Sequence, residues 1–176
     1  MLLLATPPLD DPNFDRSVVY MMEHNAEGAV GLVLNHPTEE TSIDGLDLWM
    51  DLAVPPAVVF DGGPVQPDAL IALAELEGPR DDAWSAVVAD LGSVDLARDP
   101  VDVADRVGRV RVFRGYAGWA SGQLDSELAA GAWMVFSAHR DDVFNQSPQS
   151  MWRDVLRRQS GRVAWLANAP DDLSTN

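Results

Sequence analysis

The sequence contains no cysteine and no lysine. Without cysteine, the chain can form neither a disulfide nor a thiolate zinc site, and it has no thiol nucleophile. Without lysine, it cannot form a Schiff base, and it lacks the lysine of phosphate-binding P-loops and of protein kinases. These two absences exclude several large classes of enzyme chemistry and leave arginine as the permanently charged base.

Positive charge is scarce in the first half of the chain. Residues 1–79 contain fourteen acidic residues and a single base, Arg16, whereas residues 80–176 contain fourteen acidic and eleven basic residues. The formal net charge of the whole chain is −16. Because nucleic-acid affinity depends largely on arginine and lysine contacts to phosphate, this field repels a polyanion. We therefore expect no direct nucleic-acid binding and attribute the acidity mainly to solubility.

The chain also lacks a long apolar segment at its amino terminus. The run MLLLA is followed by two prolines and has no basic residues before it, unlike a signal peptide or a transmembrane helix. We therefore expect a cytoplasmic protein without a membrane segment. The 176 residues show no repeat and no low-complexity linker, so a single domain over residues 1–176 is predicted.

The apolar pattern mixes strand and helix signals without regular alternation. β-rich runs bounded by turn residues indicate strands, and cap residues before a 3.6-residue apolar period indicate helices. This mixture predicts an α+β fold and disfavours a doubly wound one. The predicted strands are 17–22, 29–34, 57–60, 69–76, 109–113 and 132–139, although the alanines and leucines of 69–76 would also suit a helix. The predicted helices begin at Pro100, Gly122 and Pro148, after caps at Asp99, Ser121 and Ser147, and end near Val107, Ala130 and Gly161.

The segment RGYAGWASGQLDSELAAGAW (114–133) is rich in glycine and aromatic residues. Glycines before a helix N-terminus can bind phosphate through backbone N–H groups. The glycine spacing here fits neither of the two common nucleotide-binding motifs, and acidic residues in the first helical turns would repel an anion. We therefore predict a structural turn with Tyr116 and Trp119 packed under it.

No catalytic or metal-binding group of residues can be assembled from the sequence. Ser121 does not lie in a nucleophile elbow, and its pairing with His139 would need a distant aspartate. The histidines show no helical metal-binding spacing, so they are predicted to make ordinary hydrogen bonds. We expect no metal and no cofactor.

Several blocks together resemble the bacterial AlgH/YqgE family. They are LLLATPPLDDPNFDRSVVYMMEHNAEGAVGLVLNHP, FDGGPV, RVFRGYAGWASGQLDSELAAGAWMV, VFNQSPQSMWRDVLRR and APDDLSTN, in this order, while residues 76–108 show no evident match. The resemblance implies a single α+β domain in which a strongly bent, partly barrel-like mixed sheet is flanked by helices. It transfers no catalytic residue, and the transcriptional-regulator label that accompanies the family conflicts with the acidity of this chain.

We predict a non-catalytic cytoplasmic binding or regulatory protein whose motif residues line a shared groove. A protein partner or a small molecule would occupy the groove, and homo-oligomer formation is left open. The candidate binding surface comprises Arg16, His24, Asn35, Arg114, Tyr116, Trp119 and Gln123, and the glycines predicted to shape turns are Gly28, Gly31, Gly62, Gly63, Gly115, Gly118 and Gly122.

Two alternatives stay open at this point. In the first, the chain is an enzyme or receptor for a small anionic ligand such as a nucleotide, with Arg16 or Arg114 binding the anion, His24 as acid or base, and loop amides of 115–122 as donors. In the second, it is a transcriptional regulator that binds DNA through a basic cluster. That cluster consists of Arg153, Arg157, Arg158 and Arg162.

Overall fold

The computed structural model describes residues 1–7, 9, 11–76, 84–88, 91–102 and 106–168, with the backbone alone at 76 and 84–88. Predictions on the other positions, among them the APDDLSTN block, lie outside the described residues.

The described residues form one mixed sheet of nine strands. The strand order is β6-β7-β5-β8-β3-β2-β1-β9, with β4 paired to β8. The β4–β8 pair is parallel and the others are antiparallel. The strands are β1 (Leu2–Ala5), β2 (Val18–Asn25), β3 (Gly28–Val33), β4 (Phe60–Asp61), β5 (Val65–Leu76), β6 (Trp84–Val88), β7 (Leu91–Val94), β8 (Val107–Ala120) and β9 (Trp133–Phe136).

Short helices flank the sheet, so the predicted α+β class and the mixed sheet are confirmed. None of the helices in the described part of the chain is long and apolar enough to cross a membrane. The α-helices are α1 (Asp47–Asp51), α2 (Gln123–Ala129), α3 (Arg140–Val143), α4 (Met151–Arg157) and α5 (Arg162–Trp165), and single 3₁₀ turns lie at Pro100–Asp102, Pro148–Ser150 and Leu166–Asn168.

Strand β8 joins the two halves of the sheet. Its first part pairs with β5 as far as Tyr116, which lies opposite Val65, and residues 117–120 pair with β3. The alternation of its RVRVF segment (109–113) predicts a half-buried strand, but both faces are buried: Val110 and Val112 belong to one apolar cluster, Phe113 to another, and Arg111 is buried as well. This strand therefore places the glycine-rich block inside the sheet.

Three apolar clusters cover the two faces of the sheet. The first takes residues from both halves of the sheet, such as Leu4 and Phe113, and packs against Trp152 of α4. The second includes Trp119 and lies under α2, and the third includes Trp49 of α1. Because the first cluster is shared, the two halves of the sheet curve around a common core.

The glycine-rich block corrects one prediction. Residues 115–120 continue β8 and do not form a turn. A Cβ added at Gly115 would collide with the carbonyl oxygen of Gly63, and one added at Gly62 would collide with that of Gly115. The backbones cross in direct contact here, which needs glycine on both segments. Gly31 and Gly118 also lie within strands, whereas Gly28 begins β3 and Gly122 precedes α2.

Several predicted boundaries are also wrong. The strand predicted at 57–60 is observed at Phe60–Asp61, and the helix predicted from Pro148 to Gly161 begins as a 3₁₀ turn and ends at Arg157. The helix predicted from Pro100 to Val107 is a 3₁₀ turn over Pro100–Asp102, and β8 already begins at Val107; residues 103–105 lie outside the described residues. Ser121 does not cap α2, because Gly122 takes the N-cap position with φ 70°. The last predicted strand ends early because the backbone N–H of His139 donates to Asp142 Oδ2 at 2.6 Å and so begins α3.

Arg111 is a buried cation, with only 1% of its surface exposed. Its Nη1 donates to the carbonyl of Asn145 at 2.8 Å and its Nη2 to that of Pro55 at 2.9 Å. The guanidinium lies 4.3 Å from the ring centroid of Phe60. Burial lowers the pKa of Arg111 to about 10, so the side chain is still charged at neutral pH.

Replacing Arg111 by lysine is expected to lower the free energy of unfolding by about 1–2 kcal/mol, since one ammonium group cannot serve both carbonyls or stack as a planar group. Urea unfolding followed by circular dichroism measures the change. The matched control is Arg162→Lys on the exposed side of α5. Equal stability of the two variants would contradict a bridging role for Arg111.

Candidate functional site

The structure distributes the seven candidate binding residues over three places. Arg16 and Asn35 lie together beside the start of β2. His24, Trp119 and Gln123 lie where β2 ends and α2 begins, and Arg114 and Tyr116 lie within β8. Within the described part of the chain, none of the pockets is lined by all seven.

Asn35 holds the backbone that leads into β2. Its Oδ1 accepts from the backbone N–H of Val18 at 2.8 Å, and its Nδ2 donates to the carbonyl of Arg16 at 3.0 Å. Arg16 has a left-handed φ of 49°, and its guanidinium lies 5.2 Å from the ring centroid of Trp152. Both residues thus have structural contacts that explain their presence.

Arg114 is occupied by a carboxylate. Its Nη2 lies 2.8 Å from Glu40 Oε1 and 3.0 Å from Oε2. An anionic ligand at Arg114 would have to displace Glu40. Tyr116, two residues further along β8, packs against the first apolar cluster.

The β2–β3 hairpin closes through a short turn at Ala26 and Glu27. Asn25 Oδ1 accepts from the backbone N–H of Glu27 at 2.7 Å, and Asn25 Nδ2 donates to Glu23 Oε1 at 2.6 Å. Ser121 Oγ donates to the carbonyl of Ala26 at 2.7 Å. These bonds fix the turn against the end of β8.

An open groove lies beside this hairpin. The strand pairing places His24 opposite Ala29 and Ala29 opposite Trp119, in one row across three strands. The groove has a volume of about 230 Å³, and its charged lining residues are both acidic. We call it the hairpin groove; it is lined by Glu23, Asn25, Glu27, Gly28, Ala29, Val30 and Trp119.

Glu127 of α2 accepts a hydrogen bond from the indole of Trp119, one of the residues that line the groove. Its Oε2 accepts from Trp119 Nε1 at 2.9 Å and from Trp133 Nε1 at 2.8 Å. Its Oε1 accepts from Gln123 Nε2 at 2.9 Å, while Gln123 Oε1 accepts from the backbone N–H of Ala120 at 3.0 Å. One carboxylate therefore joins α2, β8 and β9.

His24 does not line the groove and instead contacts α2. Its Nε2 lies 3.4 Å from Asp125 Oδ1 on α2. Asp125 thus places negative charge beside His24. Within the described residues, no group of three or more His, Cys, Asp or Glu side chains could hold a metal ion. The carboxylates of Glu23 and Glu27 beside the hairpin turn suit a positively charged group.

One continuous sheet contains the β2–β3 hairpin, the strand β4 with the turn that follows it, and the glycine-rich block in β8. A family model described as AlgH-like matches residues 2–164. The chain belongs to this family. It is 47% identical to a UPF0301 protein of Streptomyces avermitilis and 46% identical to the UPF0301 protein SCO2948 of Streptomyces coelicolor, in each case over 99% of this chain and 93% of the relative.

Two solved structures share the AlgH-like fold. Protein DIP2367 from Corynebacterium diphtheriae aligns with a TM-score of 0.86 and 27% identity, over 94% of this chain and 89% of that one. The AlgH protein from Pseudomonas aeruginosa aligns with a TM-score of 0.70 and 30% identity, over 96% and 92% of the two chains. These likenesses confirm the family resemblance inferred from the sequence blocks.

The acidic residues of the hairpin groove were not among the predicted site residues. Glu23 and Glu27 lie inside a motif block, but their proximity depends on the short turn between β2 and β3. Asn25 and Gly28 at the two ends of this turn are the local signal that could have placed them together. Glu127 was interpreted only through the helix dipole, because its indole partners come from different strands.

Proposed function

We propose that this AlgH-like protein is a cytoplasmic, non-catalytic binding protein that holds a positively charged segment of a partner protein in the hairpin groove. The observation that supports this proposal is the lining of the groove: Glu23 and Glu27 beside Trp119, with no basic lining residue among those described.

The charge of the chain favours such a partner over long distances. A net charge of −16 attracts a basic segment and raises the rate of encounter. At contact, an exposed ion pair contributes about 0.2–1 kcal/mol and is screened by salt. Affinity at the groove therefore depends on several such pairs acting together.

A small anion is less well suited to the sites that the structure forms. The acidic lining of the hairpin groove repels it, and Glu40 neutralises Arg114. Residues 115–120 are a paired strand and do not form a loop of converging N–H groups. The geometry therefore gives no support to the proposed anion site.

Direct DNA binding also lacks a suitable surface. Arg158 Nη1 lies 2.6 Å from Asp142 Oδ1, and Arg157 Nη1 lies 2.9 Å from Asp154 Oδ1. Two of the four bases of the predicted basic cluster are thus neutralised by carboxylates. We infer that the transcriptional-regulator label does not describe a DNA contact of this chain.

The test is the binding of fluorescein-labelled hexa-arginine, measured by fluorescence anisotropy. The double variant Glu23→Gln/Glu27→Gln is expected to bind about tenfold more weakly, the effect of losing two ion pairs. The matched control is Asp51→Asn/Asp68→Asn, which removes the same charge from exposed positions that do not line the groove.

The control variant is expected to lose less than about twofold, through the general field alone. Equal losses in the two double variants would show that hexa-arginine responds only to net charge, and this would contradict a site at the groove. Retained affinity of the groove variant would contradict it as well.

A further inference from the structure

A second pocket lies at the other end of the β2–β3 hairpin. Its volume is about 160 Å³, well above the space that one water molecule needs. The eight residues of β2 separate it from the hairpin groove by about 25 Å, so the two sites are independent. We call it the loop pocket; it is lined by Pro12, Asn13, His36, Asp61, Gly63 and Pro64.

Three segments of the chain build the loop pocket, and hydrogen bonds fix two of them to each other. The backbone N–H of Asp61 donates to the carbonyl of His36 at 2.8 Å. Asp61 Oδ1 accepts from the backbone N–H of Gly63 at 3.0 Å. The second carboxylate oxygen, Oδ2, has no hydrogen-bond partner among the described residues, so it is available to a donor.

His36 contributes an uncharged imidazole at neutral pH. Burial lowers the pKa of His36, against the opposing influence of the Asp61 carboxylate and of the backbone and carboxylate of Asp15. Its Nε2 lies 3.4 Å from the hydroxyl of the fully buried Ser17. The pocket therefore contains a carboxylate without a cation beside it among the described lining residues.

Asn13 adds a second acceptor. Its backbone N–H and its Nδ2 both donate to Asp11 Oδ1, at 2.9 and 3.0 Å, which leaves the amide oxygen for a donor. Pro12 and Pro64 supply apolar edges. Two acceptors, one of them charged, suit the N–H donors of a primary ammonium group. The apolar edges suit its alkyl chain. The Asp61 carboxylate disfavours an anion.

We propose that the loop pocket binds a primary alkylammonium group, with Asp61 and Asn13 as its acceptors. The group can belong to a small free amine or to a lysine side chain of another protein.

Two-dimensional NMR with n-butylammonium chloride tests this proposal. The titration extends to about 100 mM, because ligands of this size bind with Kd values of about 0.01–10 mM. We expect a saturable shift of the Gly63 amide signal. We also expect the titration midpoint of the His36 ring to move to lower pH by about 0.5, since a bound cation disfavours the imidazolium. His24 and His139, which do not line the pocket, serve as internal controls and are expected not to change.

Further probes identify the ligand chemistry. Sodium butyrate and butanol are expected to cause no saturable shift at Gly63. Binding of Nα-acetyl-lysine amide as well as n-butylammonium would indicate a lysine side chain as the source, whereas binding of n-butylammonium alone would indicate a small free amine. Either result supports an ammonium site.

The variant Asp61→Asn keeps an oxygen for the Gly63 N–H and removes the charge, so it is expected to weaken n-butylammonium binding about tenfold. The matched control Asp68→Asn, an exposed residue of β5, is expected to bind as the wild type does. Absence of a saturable shift, an equal response to butyrate, equal midpoint changes at all three histidines, or unchanged binding by Asp61→Asn would each overturn the proposal. Hexa-arginine binding, which depends on Glu23 and Glu27, is expected to survive in Asp61→Asn.

Discussion

Replacing Glu127 by leucine is expected to lower the free energy of unfolding by about 3 kcal/mol. The carboxylate accepts from the indole N–H groups of Trp119 and Trp133. These tryptophans are only 6% and 4% exposed, so their N–H groups would lose a charged acceptor with little access to water. Urea unfolding followed by circular dichroism measures the loss.

A graded series separates hydrogen bonding from general effects on α2. Glu127→Gln keeps one acceptor oxygen for the indoles and is expected to lose about 1 kcal/mol. Glu39→Leu, at an exposed position, is expected to change stability by less than about 0.5 kcal/mol. If the leucine variant of Glu127 were as stable as the wild type, the indole N–H groups would have other partners, and the role given to this carboxylate would be wrong.

Local sequence patterns predicted the strands and helices in which apolar residues recur at a regular spacing over the whole element. The alternation of RVRVF correctly indicated a strand, although it predicted only one buried face, and the apolar residues of the helix after Ser147 were predicted to share one side. Met151, Trp152, Val155 and Leu156 of α4 are indeed buried together in the first apolar cluster. Such patterns depend on neighbours within a few residues, so the sequence displays them directly.

Contacts between distant segments could not be predicted in the same way. Arg114 was considered as an anion-binding residue because its partner, Glu40, is 74 residues away. Asn35 was placed on a binding surface, but its side chain is used by the backbone of Arg16 and Val18. The polar residues of a motif were therefore recognised, while the partners that determine their role were not.

The hairpin groove and the loop pocket differ in how much of each could be predicted from the sequence. Seven residues were predicted to share one groove, and of these only Trp119 lines the hairpin groove. His36 was interpreted as an ordinary hydrogen-bonding histidine, and Asp61 as part of a turn. Their convergence on the loop pocket depends on the pairing of β4 beside β8, which a two-residue strand does not signal in the sequence.

The largest loss of stability is expected where the two glycine segments cross. Gly115→Ala is expected to lower the free energy of unfolding by about 4 kcal/mol or more, because the new methyl group would meet the carbonyl oxygen of Gly63 and the backbone there cannot move away. The matched control is Gly122→Ala. Gly115 and Gly122 have nearly the same φ, 66° and 70°, but a Cβ at Gly122 would meet nothing within 4 Å.

The control is expected to lose about 1–2 kcal/mol, the cost of a left-handed conformation for alanine. Thermal unfolding followed by circular dichroism compares the two variants, and the difference between them isolates the steric crossing from the backbone conformation. Equal losses would mean that the two segments can separate without disturbing the sheet. A much larger loss at Gly115 would mean that these glycines serve close packing of the chain, and the same crossing would then also hold the turn that positions Asp61 in the loop pocket.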